Sequence, residues 1–358
     1  MQHALTLATR GRGHVSPNPL VGAVIVRDGE VVGEGWHAAL GGDHAEVAAL
    51  RAAGARARGA DLYVTLEPCN HHGRTPPCTD AIVAAGVRRV AMAVRDPNPR
   101  VSGGGADALE ARGVEVNAGL LEEEARALNQ VFFTWAQARR PFVTLKTALT
   151  LDGRIACHTG QSRWITGEAA RRRVHEERAA HDAILVGVGT VLADDPRLDA
   201  RLDVPARDPR VVILDSTLRT PPQARAVAGA LVYCRDPHLR ASLAAAGATV
   251  IEVVADDNGR PRIEAVLADL AERGITSVLV EGGGRVQRAF LGADRVDRVL
   301  SFIAPVIVGG ASAPTPLGRW EPDDAPIREP SMRPLRGVSI SRVGDDVLVE
   351  GTLQECWR

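Results

Sequence analysis

The sequence is poor in aromatic residues and carries almost no net charge. Phe, Trp and Tyr make up 3% of its 358 residues, and the formal net charge at pH 7 is −1. A surface that tracks phosphates and stacks bases needs basic charge and aromatic rings, so the composition argues against nucleic acid as a partner. It also offers no broad attraction to an anionic membrane. We therefore expect any nucleotide-like ligand to be held by local groups.

Long apolar runs and a cysteine framework are missing as well. The longest apolar stretch, around "AILVGVGTVLA", is too short to span a bilayer, and the opening "MQHALTLATRGRG" lacks the apolar core of a signal peptide. The five cysteines are widely spread and do not form the pattern of a disulfide scaffold. These absences predict a cytoplasmic enzyme. Only Cys69 and Cys78 are close enough in sequence to suggest a shared role.

Lysine is nearly absent, and this absence draws attention to one residue. Of the 43 lysines and arginines, 42 are arginines and one, Lys146, is a lysine. A coding bias that replaces lysine by arginine wherever only positive charge matters would keep lysine at positions that need a compact ammonium group. Chance survival explains a single lysine equally well, so the bias alone assigns no role.

The length of the chain favours two domains, and the pattern changes near residues 138–141. Pro141 interrupts a helical stretch, and a strand pattern, "PFVTLKTAL", begins there. Strand–helix units then repeat around "AILVG", "RVVILD", "ALVYC" and "SVLVE", which predicts a mostly parallel sheet with helices on its faces. We predict domains at 1–139 and 140–358.

The first half opens with a hairpin signal. Residues 18–37 hold two β-rich runs around Asp28-Gly29, and a helix is expected to begin near His44. Alternating strands and helices follow, and a single helix is predicted over residues 122–140. This succession predicts a three-layer α/β unit.

The stretch "EPCNHHGRTPPC" indicates a metal site that includes Cys69 and Cys78. Zinc accepts thiolate and imidazole in a tetrahedral arrangement, and His44 stands at the start of the predicted earlier helix. A structural site would take a fourth ligand from His71 or His72, whereas a catalytic site would keep that position for water. The cysteine stretch alone leaves both possibilities open.

Glu46 favours the catalytic alternative. A carboxylate two residues from a ligand histidine can move protons from water to a ring nitrogen and a leaving amine, as hydrolytic deamination requires. Residues two apart on a regular helix point about 200° apart, so His44 and Glu46 share a site only at a helix entry. The cysteines here are separated by eight residues, whereas the zinc-deaminase signature has two between them.

The second half carries signals for a ligand crevice. "SVLVEGGGRVQRAFL" predicts a strand, a glycine turn and a helix, where Arg285 and Arg288 can add positive charge. Glu281 precedes the glycines, and "VGVGTVLADDP" repeats the design around Thr190. A glycine turn is a weak signal alone, but two carboxyl edges in one parallel sheet predict a ligand crevice. The strand that contains Lys146 is expected to line it.

The sequence resembles the RibD family of bifunctional riboflavin-biosynthesis deaminase-reductases over nearly its whole length. The resemblance is carried by "SPNPLVGAVIV", "HAEVAAL", "TLEPCNHHGRTPPC", "DPNPRVSGGG", "KTALTLDGRIA", "VGVGTVLADDPRL" and "VEGGGRVQRAFL". It implies a cytidine-deaminase-like three-layer α/β/α domain followed by a dihydrofolate-reductase-like α/β domain. It further implies one zinc ion held by His44, Cys69 and Cys78, with Glu46 as the proton donor. The longer cysteine spacing belongs to this family, in which His71 and His72 are not ligands.

The resemblance also implies NADPH as the cofactor of the second domain. The implied cofactor contacts are Ala148, Trp164, Thr190, Asp194, Ser216, Gly283, Gly284, Arg285, Val286, Gln287, Arg288 and Ala289. The implied substrate contacts are Ser162, Arg178, Leu198, Arg201 and Glu281. Trp164 offers a flat apolar face, and the arginine forks suit a phosphate. We add the hypothesis that the Lys146 ammonium contacts the substrate sugar.

The implied function is a pair of consecutive reactions in riboflavin biosynthesis. A phosphoribosylated diaminopyrimidinone loses an amine by hydrolysis, and NADPH then reduces its ribosyl group to ribityl. We expect a small-molecule enzyme that forms a homodimer or homotetramer. One alternative is a nucleic-acid or nucleoside cytosine or adenine deaminase with an appended nucleotide-binding domain. Another is a structural zinc module fused to a nucleotide-sensing domain.

Overall fold

A computed structural model of the chain describes residues 1–72, 76–98, 104–160, 164–310, 312–318 and 333–353. The chain divides into two compact units, Met1–Arg139 and a second unit that begins at Arg140. Within the described ranges, no helix is both long enough and apolar enough to cross a membrane.

The first unit alternates strands and helices. Its elements are α1 (Gln2–Ala8), β1 (Gly22–Arg27), β2 (Glu30–Trp36), α2 (Ala45–Ala53), β3 (Asp61–Val64), α3 (Cys78–Ala85), β4 (Arg89–Met92), α4 (Gly105–Glu110), β5 (Glu115–Ala118), α5 (Glu122–Leu128) and α6 (Gln130–Ala138). Short 3₁₀ turns at Thr9–Gly11 and Gly54–Ala57 extend α1 and α2.

These strands form one mixed sheet in the order β2-β1-β3-β4-β5. The predicted hairpin is confirmed: β1 and β2 are antiparallel, and Asp28 and Gly29 both have the positive φ of a tight hairpin turn. Alternate residues of β1 supply two different clusters, since Ile25 packs with α2 to α4 and Val24 packs with α1. Helices therefore cover both faces of the sheet, as the predicted three-layer unit requires.

The single helix predicted over residues 122–140 is wrong, because it is broken at Asn129. The Asn129 side chain accepts a hydrogen bond from the main-chain N–H of Leu20 at 2.8 Å and donates one to its C=O at 2.9 Å. This tertiary contact holds Asn129 outside helical geometry and separates α5 from α6. Helix α1 was not predicted.

The second unit is built on a larger sheet. Its elements are β6 (Phe142–Thr150), α7 (Glu168–Ala180), β7 (Ala183–Gly187), α8 (Val188–Asp194), β8 (Arg210–Leu214), β9 (Leu231–Cys234), α9 (Arg240–Ala245), β10 (Thr249–Glu252), α10 (Ile263–Glu272), β11 (Ser277–Val280), α11 (Gly284–Gly292), β12 (Arg298–Ala304), β13 (Arg336–Val343) and β14 (Asp346–Thr352).

The strands of this sheet run in the order β10-β9-β8-β7-β11-β6-β12-β14-β13. All pairs from β10 to β12 are parallel, which confirms the predicted mostly parallel sheet. The antiparallel hairpin of β13 and β14 was not predicted, although Val338 and Ile340 alternate with serines in β13. Almost all of the β13 residues are exposed. The order places the carboxyl ends of β8, β7, β11 and β6 side by side. Ligands of open parallel sheets bind at such an edge.

Candidate functional sites

Helix α2 brings His44 and Glu46 to one place because His44 lies just before its first turn. His44 has extended backbone angles, φ −71° and ψ 155°, and Glu46 lies in the first turn with 3% of its surface exposed. His44 and Glu46 can therefore face the same site, although residues two apart within a regular helix point about 200° apart. Gly33 and Gly35 of β2 press against α2 so closely that a Cβ at either position would overlap the helix backbone.

The two cysteines are held together by main-chain contacts. Cys78 is the first residue of α3, and its N–H donates to the Cys69 sulfur at 3.4 Å. The next N–H, of Thr79, donates to the Cys69 carbonyl at 3.3 Å, and the buried Thr79 hydroxyl donates to Asn70 Oδ1 at 2.9 Å. These contacts fix the loop that carries Cys69 against the start of α3.

His44, Cys69 and Cys78 converge on a common point. Their ligand atoms all lie within 4.8 Å of one another, with His44 Nδ1 3.2 Å from the Cys78 sulfur and 3.5 Å from the Cys69 sulfur. Zinc bonded tetrahedrally to sulfur and nitrogen separates such atoms by roughly 3.5 to 3.8 Å. The arrangement fits zinc. His71 and His72 are exposed and do not belong to this cluster.

Hydrogen bonding within the cluster favours an ionised thiol. The Cys78 thiol donates to Cys69, which lowers the pKa of the Cys69 thiol to about 4 despite the opposing effect of burial. The same shared proton raises the pKa of Cys78. The hydrogen bond to Cys69 also raises the pKa of His44. A thiolate beside an imidazole is the ligand set that zinc prefers.

Glu46 is buried next to the Cys69 and Cys78 sulfurs. Burial raises the pKa of Glu46 to about 7, although its own main-chain N–H, His44 and the Cys78 thiol oppose the shift. A carboxyl group with a pKa near 7 both accepts and releases a proton at physiological pH. The geometry thus places a titratable carboxyl group beside the cluster of His44, Cys69 and Cys78.

His37 and Asn18 also belong to this site, although they were not among the residues predicted from the sequence. His37 is buried, and its ring contacts the His44 ring edge-on at 5.6 Å between centroids. Its Nδ1 bonds the Asp43 carbonyl at 2.9 Å, and its Nε2 lies 3.1 Å from the Asn18 side-chain nitrogen. Burial lowers the pKa of His37, so a neutral ring with a proton on Nδ1 fits both contacts. The run "GWH" at the end of β2 was the available signal.

A cavity of about 1470 Å³ lies at the carboxyl edge of the second sheet, where the sequence predicted a ligand crevice. Typical pockets for a single small ligand measure about 300 to 1,000 Å³. Residues that follow β7, β8 and β11, together with part of β6, line it. Its size suits a cofactor and a substrate together.

The glycine turn after β11 allows close approach of the backbone to this cavity. A Cβ at Gly282 would lie 2.7 Å from the Thr190 hydroxyl, and one at Gly284 would overlap the main chain of Gly318. Gly283 has a φ of +75°, which side-chain-bearing residues rarely adopt. The turn leads directly into α11, and the first turn of a helix is suited to binding phosphate.

A charged cluster lies at the β6 and β11 end of the cavity. Both oxygens of buried Glu281 accept hydrogen bonds from the Arg178 fork, at 2.6 and 2.8 Å, and Lys146 Nζ lies 3.9 Å away. Burial favours a higher pKa for Glu281, but Arg178 outweighs it and the net pKa is lowered. Burial lowers the pKa of Lys146. The Arg178 fork is thus occupied by Glu281 instead of being open to a phosphate.

Most predicted cofactor and substrate residues of the second domain line the cavity. These are Lys146, Ala148, Trp164, Arg178, Thr190, Asp194, Arg201, Ser216, Glu281, Gly283, Gly284, Arg285, Val286, Gln287 and Ala289.

Three predicted residues are not placed there. Arg288 donates through Nε to the Leu317 carbonyl at 2.9 Å and does not line the cavity. Leu198 is 4% exposed, packs in the core and does not line the cavity. Ser162 lies outside the described residues.

His175 lines the cavity and was also missed. Its Nε2 lies 3.2 Å from an Arg201 guanidinium nitrogen, and its Nδ1 lies 3.2 Å from the Asp199 carbonyl. Burial and the neighbouring arginines lower the pKa of His175. Its place on α7, one turn before Arg178, was the available signal.

Curated relatives match the chain over nearly its whole length. The riboflavin biosynthesis protein RibD of Bacillus amyloliquefaciens is 43% identical over 357 residues, covering 97% of this chain and 94% of that protein. RibD of Actinobacillus pleuropneumoniae is 44% identical over 372 residues, covering 98% and 93%. The chain belongs to the RibD family. The resemblance seen in the sequence motifs is thereby confirmed.

Domain families and solved structures agree with membership of the RibD family. Residues 1–94 match the cytidine and deoxycytidylate deaminase zinc-binding region, and residues 141–349 match the RibD C-terminal domain. A diaminohydroxyphosphoribosylaminopyrimidine deaminase/5-amino-6-(5-phosphoribosylamino)uracil reductase from Thermotoga maritima is 40% identical, with a TM-score of 0.85 and coverage of 99% and 97%. Acinetobacter baumannii RibD is 37% identical, with a TM-score of 0.88 and coverage of 99% and 98%.

As a RibD-family protein, the chain is a bifunctional enzyme of riboflavin biosynthesis, a deaminase and a reductase. The predicted fold class, a cytidine-deaminase-like domain followed by a dihydrofolate-reductase-like domain, is confirmed. A nucleic-acid or nucleoside deaminase with an appended nucleotide-binding domain is not favoured, since the RibD match spans both halves.

Proposed function

We propose that the first unit hydrolytically deaminates 2,5-diamino-6-(5-phosphoribosylamino)pyrimidin-4-one. The second unit then reduces the ribosyl group of 5-amino-6-(5-phosphoribosylamino)uracil to a ribityl chain with NADPH. The observation that carries the deaminase proposal is the convergence of His44, Cys69 and Cys78 beside buried Glu46. Support for the substrates comes from the activities that describe the Thermotoga maritima relative.

In this proposal His44, Cys69 and Cys78 would hold one zinc ion, and the absence of a fourth proposed protein ligand would leave room for water. When bound, zinc supplies the Lewis acidity that makes water nucleophilic near neutral pH. Glu46 accepts a proton from the attacking water on its carboxylate and passes it to a pyrimidine ring nitrogen. Glu46 then takes the proton of the newly formed C–OH group and delivers it to the departing amine, so that ammonia leaves and a carbonyl replaces it. A pKa of about 7 for Glu46 suits both transfers.

NADPH supplies the hydride for the second reaction. We assign its diphosphate to the glycine turn after β11, at the start of α11, where glycines let a phosphate approach the backbone closely. Trp164, 71% exposed, offers a flat face for a ring of the cofactor. Arg201 lines the cavity and adds positive charge for the substrate phosphate, although its Nη1 also bonds the Asp199 carboxylate. Glu281 and Lys146 contact sugar hydroxyls, and the ion pair with Arg178 keeps the Glu281 carboxylate ionised.

Replacement of Lys146 tests its proposed contact with the sugar. We expect Lys146→Arg to lower kcat/KM of the reductase reaction by roughly 10- to 100-fold, the loss expected when a hydrogen bond to a charged group is misplaced. The bulkier planar guanidinium cannot reproduce a compact ammonium in this buried place. Ammonia release by the first unit should not change. The exposed Arg240→Lys variant serves as the control, and wild-type reductase kinetics in Lys146→Arg would refute the assignment.

One incubation tests the order of the two reactions. The purified protein receives the diaminopyrimidine ribotide with or without NADPH, and ammonia and NADPH absorbance are followed. We expect ammonia without NADPH, and NADPH oxidation only after the deaminated product has formed. NADPH oxidation that precedes ammonia release would contradict the proposed order of the reactions. If neither ammonia release nor NADPH oxidation occurred, the proposed substrate would be wrong.

The predicted homodimer or homotetramer stays a prediction. Size-exclusion chromatography with light scattering of the full chain would decide between these states and a monomer.

A further inference from the structure

Helix α7 and the chain that follows α8 meet at one side of the cavity in the second unit. His175 and Arg178 lie three residues apart on α7, and both line the cavity. Arg178 Nη1 donates a hydrogen bond to the Asp199 carbonyl at 3.1 Å, and His175 Nδ1 lies 3.2 Å from the same oxygen. Two side chains of α7 therefore hold the main chain at Asp199, two residues before Arg201.

Arg201 is held by two contacts at its guanidinium group. Its Nη1 donates to Asp199 Oδ1 at 3.0 Å, and its Nη2 lies 3.2 Å from His175 Nε2. The Arg201 side chain lines the cavity and is 51% exposed. Because a guanidinium carries more N–H groups than these two contacts use, Arg201 can be fixed in place and still bind a ligand.

The contact with Arg201 determines which nitrogen of His175 carries the proton. A guanidinium nitrogen only donates, so His175 Nε2 must accept, and the Nδ1–H group then donates to the Asp199 carbonyl. The main-chain N–H of Arg201, also 3.2 Å from Nδ1, favours the opposite tautomer, but a hydrogen bond from a charged donor is about twice as strong as a neutral one. Burial and the charges of Arg178 and Arg201 lower the pKa of His175, which favours this neutral ring.

Arg201 is connected to the charged cluster at the β6 and β11 end of the cavity. Arg178 bridges the two places, because its Nε and Nη2 bond Glu281 while its Nη1 bonds the Asp199 carbonyl. A ribosyl group held by Glu281 and Lys146 carries its phosphate only a few bonds away, and arginine N–H groups suit phosphate oxygens. Arg201 is therefore well placed to receive the phosphate.

We propose that His175 is a positioning residue of the reductase, which holds the Arg201 guanidinium toward the substrate phosphate by accepting a hydrogen bond from it. The inference rests on the proposed reductase function and adds a residue to it. In this role His175 acts through Arg201 and does not touch the substrate. It therefore sets the affinity for the phosphorylated substrate and not the rate of hydride transfer.

Reductase kinetics with and without the substrate phosphate test this role. The full-length protein receives NADPH and either 5-amino-6-(5-phosphoribosylamino)uracil or the corresponding riboside, which lacks the phosphate. We expect the wild-type protein to have a lower KM for the phosphorylated substrate. His175→Ala should raise that KM about tenfold, the equivalent of one hydrogen bond, with kcat unchanged. The KM for the riboside should stay at the wild-type value.

Two further variants separate positioning from a general structural role. His175→Gln retains an acceptor oxygen that can reach Arg201 and should recover most of the loss. In an Arg201→Ala background, His175→Ala should cause no further rise in KM, because the group through which His175 acts is gone. His238→Ala is the matched control, because His238 is exposed and is not among the described residues that line the cavity.

An unchanged KM for NADPH reports that the second unit of each variant is folded. The proposal for His175 is overturned if His175→Ala keeps the wild-type KM, raises KM equally for both substrates, lowers kcat instead, or adds to the effect of Arg201→Ala. It is also overturned if His175→Gln behaves like His175→Ala. A wild-type protein with equal KM for both substrates contradicts the phosphate contact, whereas one that does not oxidise NADPH with the phosphorylated substrate contradicts the reductase proposal itself.

Discussion

Glu46→Gln is expected to lower kcat for ammonia release by about 10²- to 10⁴-fold, the range for loss of a general acid–base group. The amide has nearly the shape of the carboxyl but cannot take a proton from water or pass one to the leaving amine. Because Glu46 is buried and its pKa is raised by burial, a neutral amide should be tolerated by the fold. Steady-state ammonia release, with zinc measured by atomic absorption, checks the prediction.

The separate activities supply the controls for Glu46→Gln. Zinc content should stay at the wild-type level, and the second unit should still reduce the deaminated substrate. Glu30→Gln removes an exposed carboxylate from the β1–β2 turn region and should leave ammonia release unchanged. Near-normal ammonia release in Glu46→Gln would refute its role as proton carrier. Loss of zinc would instead assign Glu46 to the metal site.

Cys69→Ala should abolish both zinc binding and ammonia release. The variant removes the Cys69 sulfur, which is one of the three converging ligand atoms and also accepts a hydrogen bond from the Cys78 N–H. Mutation of residues that only hydrogen-bond to metal ligands already lowers metal affinity by about 10- to 100-fold. Removal of a ligand itself should therefore lower zinc affinity by more than about 100-fold. Zinc per chain after dialysis against a weak chelator measures this effect. The reductase reaction on the deaminated substrate should persist, which separates metal loss from global unfolding.

The histidines of the cysteine stretch are the matched controls for Cys69→Ala. His71 and His72 are exposed and stand outside the convergent cluster, so His71→Ala and His72→Ala should keep the wild-type zinc content. The reverse pattern, with zinc kept in Cys69→Ala and lost in either histidine variant, would replace the open site by one closed with histidine. Such a closed site would support the structural-zinc alternative.

Features that depend on a few adjacent residues were predictable. Asp28 and Gly29 accept positive φ and close the hairpin by themselves, and Cys78 begins a helix directly after two prolines. The break at Asn129 was not predictable, because helical residues surround it and its cause is a contact with Leu20, more than 100 positions earlier. The β13 strand was not predicted, although Val338 and Ile340 alternate with serines, because so short an alternation without a buried face is a weak strand signal.

The sequence by itself determined which chemical groups this protein has and in which order they occur. The metal-binding residue types and the H-x-E spacing indicated zinc-dependent deamination, and the glycine turns indicated a ligand crevice. The reductase reaction and its cofactor were implied only by the resemblance to the RibD family. These signals are local, since they depend on ligand chemistry and on backbone freedom within a few residues.

Only the tertiary structure decided which of those groups meet. It brought His37 and Asn18 beside His44, engaged the Arg178 fork with Glu281, and placed Leu198 in the core. Strand order decided these contacts, because neighbours in a sheet need not be neighbours in the chain. Hydrogen bonds and burial act over a few ångströms, so their partners are set by packing and not by distance along the sequence.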